Sequence, residues 1–144
     1  MSDIVRDSIV VGADIDTVLE IVADFAAYPQ WQDDVKAAEV LETDEDGWGT
    51  KARFTIDARV QTVHAVLAYE YTDTTMSWHL VESPQLERND GRYELRDIGD
   101  GSTEVTYQVE ITPKFKVPAM LRRQAARKVV EGALQALKRR VESA

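Results

Sequence analysis

The sequence predicts an α+β fold: a curved, seven-stranded antiparallel sheet wrapped around one long C-terminal helix, with two short helices after the first strand. Three observations predict it. Beyond residue 34, six successive segments alternate apolar and polar residues with a period of two. The links between them are short and rich in Asp, Gly, Ser and Pro, which allows antiparallel neighbours but leaves no room for crossover helices. From Pro118 the apolar spacing switches to three and four, as a helix requires.

The first strand, Ile4 to Val11, is dominated by β-branched residues and closes at Gly12. Asp14 reads as the N-cap of a helix carrying Ile15, Val18, Leu19 and Val22 at helical spacing. Pro29 restricts Tyr28 and breaks that helix, so Phe25 to Trp31 forms a second short helical turn. Strands follow at Val35–Thr43, Thr50–Arg59, Thr62–Asp73, Thr75–Glu82, Leu86–Asp97 and Thr103–Thr112. Asp44-Glu45-Asp46-Gly47, Asp73-Thr74, Ser83-Pro84 and Gly99-Asp100-Gly101 supply the turns. The last element, Pro118 to about Glu142, is a helix with Pro118 at its first position and Ala126, Val130, Ala133, Leu137 and Val141 on its apolar row.

Alternation also assigns faces. Phe54, Ile56, Ala58, Val63, Ala65, Leu67, Tyr69, Tyr71, Met76, Trp78, Leu80, Tyr93, Leu95, Val105, Tyr107, Val109 and Ile111 share the inner face. Arg53, Asp57, Arg59, His64, Glu70, His79, Arg92, Glu94, Arg96, Thr106, Gln108 and Glu110 share the outer one.

Composition narrows the function classes. The chain of 144 residues reads as a single domain, 1–144, and 44% hydrophobic content with 7 Gly and 4 Pro excludes a disordered or collagenous polymer. The absence of cysteine excludes disulfides, thiolate nucleophiles and cysteine metal sites. Two histidines make a multi-histidine centre improbable, so neither a metal nor a cofactor is expected. The start MSDIVRDSIVV lacks a basic leader and apolar core, and no apolar run approaches the roughly 20 residues that span a bilayer. A cytoplasmic protein is the expectation. The net charge of −9 argues against nucleic acid as a partner.

Seven strands about 4.8 Å apart make a sheet wider than about 30 Å, and a helix about 10–12 Å thick cannot fill its trough. Large side chains, water or a ligand must occupy that gap. Tyr69, Tyr71, Trp78, Tyr93 and Tyr107 bring apolar bodies and polar tips to the inner face, as a closed core and a ligand site both require. Ala125, Val129, Gly132 and Ala136 form a stripe of small residues on the helix: either Gly132 leaves space for a ligand or for close backbone approach, or it is a tolerated surface glycine.

Several segments carry a resemblance. Asp24-Phe25-Ala26-Ala27-Tyr28-Pro29-Gln30-Trp31 resembles the helix break of the START-like (Bet v 1-like, SRPBCC) superfamily, whose arrangement is the helix grip. Met76-Ser77-Trp78-His79-Leu80-Val81 resembles its fifth strand, and Val105-Thr106-Tyr107-Gln108-Val109 its last. The match runs from Ile4 to Glu142 and is nearest to the bacterial polyketide cyclase/dehydrase and coenzyme Q-binding branch. It implies a cavity between sheet and long helix holding an apolar or aromatic molecule such as a lipid, a quinone or a polyketide-like aromatic. The residues it places there are Phe25, Trp31, Phe54, Ile56, Leu67, Tyr69, Tyr71, Trp78, Tyr93, Tyr107, Val109, Val129, Gly132 and Ala133.

Chemistry is harder to find. His64, His79, Arg53, Arg59, Arg92 and Arg96 all fall on the outer face, whereas aromatase-like relatives use an inward arginine. The inner polar groups are tyrosines, joined by Asn89 if its strand bulges before Gly91. Tyrosine, with a pKa near 10, is a poor base at neutral pH, which favours binding over turnover. No phosphate loop, dinucleotide-binding glycine pattern, nucleophile elbow or zinc motif is present. A polyketide aromatase/cyclase or dehydratase is the alternative, built on a tyrosine with Asn89 or Gln124. A second alternative is an interaction protein acting through its basic helix, with Arg122, Arg123, Arg127, Lys128, Lys138, Arg139 and Arg140. That surface, extended by Lys114 and Lys116 around Phe115, either complements the acidic body or makes transient contact with an anionic membrane or acidic carrier protein. Trp48 either closes the pocket mouth or caps the edge of the core.

Overall fold

A computed structural model describes residues 4–58 and 61–143. Strand β1 (Ile4–Val11) leads into helix α1 (Ile15–Ala23), a single 3-10 turn (Phe25–Ala27) and helix α2 (Tyr28–Trp31). Strands β2 (Val35–Thr43), β3 (Gly49–Asp57), β4 (Thr62–Tyr71), β5 (Thr75–Glu82), β6 (Leu86–Gly99) and β7 (Ser102–Pro113) follow, and helix α3 (Ala119–Glu142) ends the chain. All strands join one antiparallel sheet in the order β1-β7-β6-β5-β4-β3-β2. After β1 the chain crosses through α1 and α2 to the opposite edge. It then returns hairpin by hairpin until β7 pairs with β1.

The helix break falls earlier than expected: α1 ends at Ala23 with Asp24 as its C-cap, and Pro29 sits in the first turn of α2, where its missing N–H costs nothing, rather than ending α1. Asp14 caps α1 by accepting the Thr17 N–H at 2.8 Å, and hydrogen bonding from the Thr17 side chain and backbone holds its carboxyl below the usual value. Val18, Leu19 and Val22 are buried on one stripe of α1. The predicted second helical turn divides in two, a 3-10 turn and then α2 with Pro29 in its first turn. The buried Tyr28 hydroxyl donates back to the carbonyl of Val22, which fixes the angle between the pieces.

Boundaries differ from expectation by one or two residues. Strand β3 runs from Gly49 to Asp57, and Arg59 lies outside the described residues. Strand β4 stops at Tyr71, while a register shift after Asp97 carries the β6–β7 ladder on to Gly99 and Ser102. Pro118 is not the first helical residue: its φ of −52° and ψ of 141° are extended, so it flanks α3, which starts at Ala119. The inner face is buried as assigned apart from its margins, where Ala58 is exposed and Ile56, Tyr71, Leu80 and Ile111 are half-buried. Thr106, assigned outward, is buried all the same, because its hydroxyl shares a 2.8 Å hydrogen bond with Ser8 on β1.

Helix α3 is seated unevenly. Val130, Ala133, Leu134, Ala136, Leu137 and Val141 are buried in its C-terminal half, but Ala126 alone is buried in the preceding turns. The same half is tied down by hydrogen bonds. Lys138 donates to the Val10 carbonyl (3.0 Å) and to Glu142 (2.7 Å), Glu142 accepts the Gly12 N–H (3.1 Å), and Arg140 reaches Gln30 (3.2 Å). The N-terminal half therefore stands off the sheet, with Met120, Leu121 and Val129 exposed.

Candidate functional site

Beneath the raised half of α3 lies a cavity of about 630 Å³, open to solvent. Its size falls within the roughly 300–1,000 Å³ of small-molecule sites. The sheet supplies the floor through Phe54, Ile56, Val63, Leu67, Tyr69, Met76, Trp78, Leu86, Asn89, Tyr93, Tyr107 and Ile111. Leu121, Ala125, Val129, Gly132, Ala133 and Ala136 of α3 form the roof, and Tyr28, Trp31 and Val35 close one end. Pro113, Phe115 and Val117, which lead into α3, complete the apolar wall.

A chain of aromatic rings runs along this floor. Tyr69 and Trp78 lie 5.9 Å apart, Trp78 and Tyr107 5.6 Å, and Tyr93 meets Tyr107 edge to face at 4.7 Å. Trp78 can lie flat only because its cross-strand partner is Gly91, where any Cβ would stand 2.6 Å from the indole. The Trp78 indole N–H donates to the Asn89 side-chain oxygen at 3.1 Å.

The hydroxyls of Tyr69, Tyr93 and Tyr107 are different. Each residue is more than nine-tenths buried, yet none has a hydrogen-bond partner among the described residues. No fully enclosed side-chain polar atom among those residues lacks a partner, so these three oxygens are open to the cavity. Burial pushes all three phenols up from their ordinary value, with the neighbouring phenolates adding to the shift at Tyr69 and Tyr93. They remain neutral donors throughout the physiological range. They can hold an oxygen acceptor or polarise a carbonyl, but they cannot act as bases there.

Polar residues ring the opening. Arg122, Lys128 and Arg139 line it from α3, while Gln32, Asp33, Asp34 and Gln61 face it from the loops after α2 and β3. Among the described residues no cluster of three or more His, Asp or Glu is placed to hold a metal ion.

Residues 11–138 match the model of a family described as polyketide cyclase/dehydrase and lipid transport. The chain belongs to that family.

Similar solved structures carry the same START-like helix grip. A START superfamily protein from Mycobacterium smegmatis is 25% identical over 97% of each chain, with a TM-score of 0.91. The Zhui aromatase/cyclase from Streptomyces sp. R1128 is 16% identical, with 96% of this chain and 93% of that one covered and a TM-score of 0.80. A STAR-related lipid transfer protein from Xanthomonas axonopodis is 23% identical, with coverages of 94% and 84% and a TM-score of 0.74. No curated protein sequence matches significantly.

Within this START-like chain, eleven of the fourteen expected cavity residues line one space: Trp31, Phe54, Ile56, Leu67, Tyr69, Trp78, Tyr93, Tyr107, Val129, Gly132 and Ala133. The other three stand outside it. Phe25 is fully buried behind the floor against Tyr28, Phe54 and Tyr69. The Tyr71 hydroxyl is spent on the Gly49 carbonyl at 2.5 Å, and its ring packs on Trp48 at the edge of the core. Val109 is 1% exposed, enclosed within the core cluster.

Asn89 lines the floor without a bulge before Gly91: it shares parity with Tyr93 and pairs with Ile111, and the register shift lies earlier, between Leu86 and Arg88. Gln124 is exposed and stands outside the lining, and both histidines are exposed on the outer face. The cations at the cavity, Arg122, Lys128 and Arg139, come from α3 and not from a strand, so strand parity does not reveal them. The signal was present: Arg139 continues the stripe Ala125-Val129-Gly132-Ala136 by three residues, and Lys128 lies three beyond Ala125.

Proposed function

We propose that this protein binds an apolar, oxygen-bearing small molecule, such as an aromatic polyketide, quinone or oxygenated lipid, beneath the raised half of α3. One observation carries the reading: three neutral, unpartnered tyrosine hydroxyls open into a cavity whose walls are otherwise largely apolar. A buried donor without an acceptor costs about 1–3 kcal/mol, so a guest that presents oxygen atoms there recovers what water otherwise supplies. The apolar walls select for a hydrophobic body and the rim cations tolerate a polar end.

The test compares two probes of similar shape, one a hydrocarbon and one bearing carbonyl groups, read by quenching of tryptophan fluorescence. Tyr69→Phe, Tyr93→Phe and Tyr107→Phe should each weaken the carbonyl probe by about two- to tenfold, the range of one hydrogen bond, and leave the hydrocarbon unchanged. Failure of both probes to bind, with no ligand extracted from the purified protein, overturns the reading.

A second reading, a cyclase or dehydratase, is favoured by the grouping of Tyr93 and Tyr107 with the Trp78–Asn89 pair, since neutral donors can polarise successive carbonyls. Turnover of a poly-β-ketone that is lost in the tyrosine variants, while probe binding survives, would select it over a carrier.

A further inference from the structure

The segment that leads from β7 into α3 departs from the charge of the rest of the chain. Between Lys114 and Val130 stand six cations, Lys114, Lys116, Arg122, Arg123, Arg127 and Lys128, and no acid. The remaining residues carry eleven basic and twenty-six acidic side chains. Interleaved with the cations, Phe115, Met120, Leu121 and Val129 are between 44% and 72% exposed. Phe115, Leu121 and Val129 line the open side of the main cavity, and Met120 lies outside its lining on the same helix, so large apolar side chains meet water around the mouth, as at an interaction surface. A second, shallow hollow of about 590 Å³ lies in the same surface, where the three cations Lys114, Lys116 and Arg122 outnumber the one acid, Glu87. It shares Pro113, Phe115, Val117 and Arg122 with the lining of the main cavity.

Cations set beside exposed Phe, Met and Leu fit a particular kind of partner. Anionic headgroups meet the ammonium and guanidinium groups, and the apolar side chains enter the acyl boundary beneath. We propose that the face formed by Lys114–Val129 docks on an anionic lipid bilayer, with the hollow seating headgroups and the cavity mouth turned toward the membrane. Charge complementarity carries the choice of partner, and the acidic remainder of the molecule is repelled by the same surface, which orients it. An apolar guest would then pass between bilayer and cavity without crossing water. That last step rests on the function proposed above; the docking itself does not.

The experiment is flotation of the full chain with vesicles of phosphatidylcholine alone or with about one-third phosphatidylglycerol, at ionic strengths of about 0.01 M and 0.1 M, where the Debye length falls from about 30 to about 10 Å. Binding is expected on the anionic vesicles at low salt, at least tenfold weaker at the higher salt, and weak on phosphatidylcholine alone. Lys114→Glu, Lys116→Glu and Arg127→Glu combined should reduce it more than tenfold, and Met120→Ser several-fold, with circular dichroism unchanged. None of these four residues lines the main cavity, so probe affinity should persist in each variant and separate this proposal from the binding reading. Equal binding to both vesicle types, no loss in the charge-reversed variant, or capture by a soluble polyglutamate matrix without capture by vesicles would overturn the proposal.

Discussion

A Cβ built on Gly91 stands 2.6 Å from Cζ2 of Trp78 and 2.7 Å from the Gln108 carbonyl oxygen on the neighbouring strand. The backbone oxygen cannot retreat without opening the ladder, so the indole must move. Gly91→Ala should therefore cost about 1–3 kcal/mol in urea unfolding and shift the tryptophan emission, as overpacking does. An unchanged stability and spectrum would mean that the floor is softer than it stands here. Gly49 plays the same part for Phe25, whose ring lies 2.8 Å from a Cβ built there. Such requirements are invisible in the sequence, where Gly91 suggests a bulge rather than the seat of a tryptophan. Alternation, by contrast, placed Tyr69, Trp78, Tyr93 and Tyr107 on one face, because the pleat leaves a side chain only two directions to take.

Helix α3 does two jobs with two halves. A Cβ at Gly132 meets nothing within 4 Å, since the residue faces the cavity rather than the sheet. Gly132→Leu should then raise stability by about 1 kcal/mol through helix propensity. It should also weaken probe binding by about tenfold or more, as a 1–3 kcal/mol steric mismatch demands. Thermal melting and probe titration on the same sample check both signs; a loss of stability would place Gly132 against a neighbour. The stripe of small residues was legible from its spacing, but its meaning was not. Helical periodicity reports which residues share a face and is silent on whether that face touches protein or empty space. What decides here is that the anchoring groups Leu137, Lys138, Arg140, Val141 and Glu142 all lie toward one end.

For the whole molecule, burial of so many phenols sets an alkaline limit. Tyr28, Tyr69, Tyr93 and Tyr107 are all pushed above their ordinary value, chiefly by desolvation. Each is neutral in both states below about pH 10, so it leaves stability flat there. Above that, the unfolded chain ionises first and stability falls, by about 1.4 kcal/mol per pH unit for each tyrosine until its folded value is passed. Phenolate absorbance should thus rise together with the loss of circular dichroism, rather than before it. Ionisation of the buried phenols in a still-folded protein would contradict their environment. At this scale the sequence was informative about fold and family, because strand count, turn chemistry and the interrupted helical segment Asp24–Trp31 all point the same way. It was less informative about the cavity's rim, which is assembled from Asp33, Gln61, Arg122 and Arg139, residues brought together only by the folded topology.

A lid hinged at one end has its own clock. With α3 fastened near its C-terminus, the gap over Val129 and Leu121 can widen while every strand keeps its partners. On the function proposed above, a guest would then load and leave at the pace of local helix motion, microseconds to milliseconds, rather than on the lifetime of the native state.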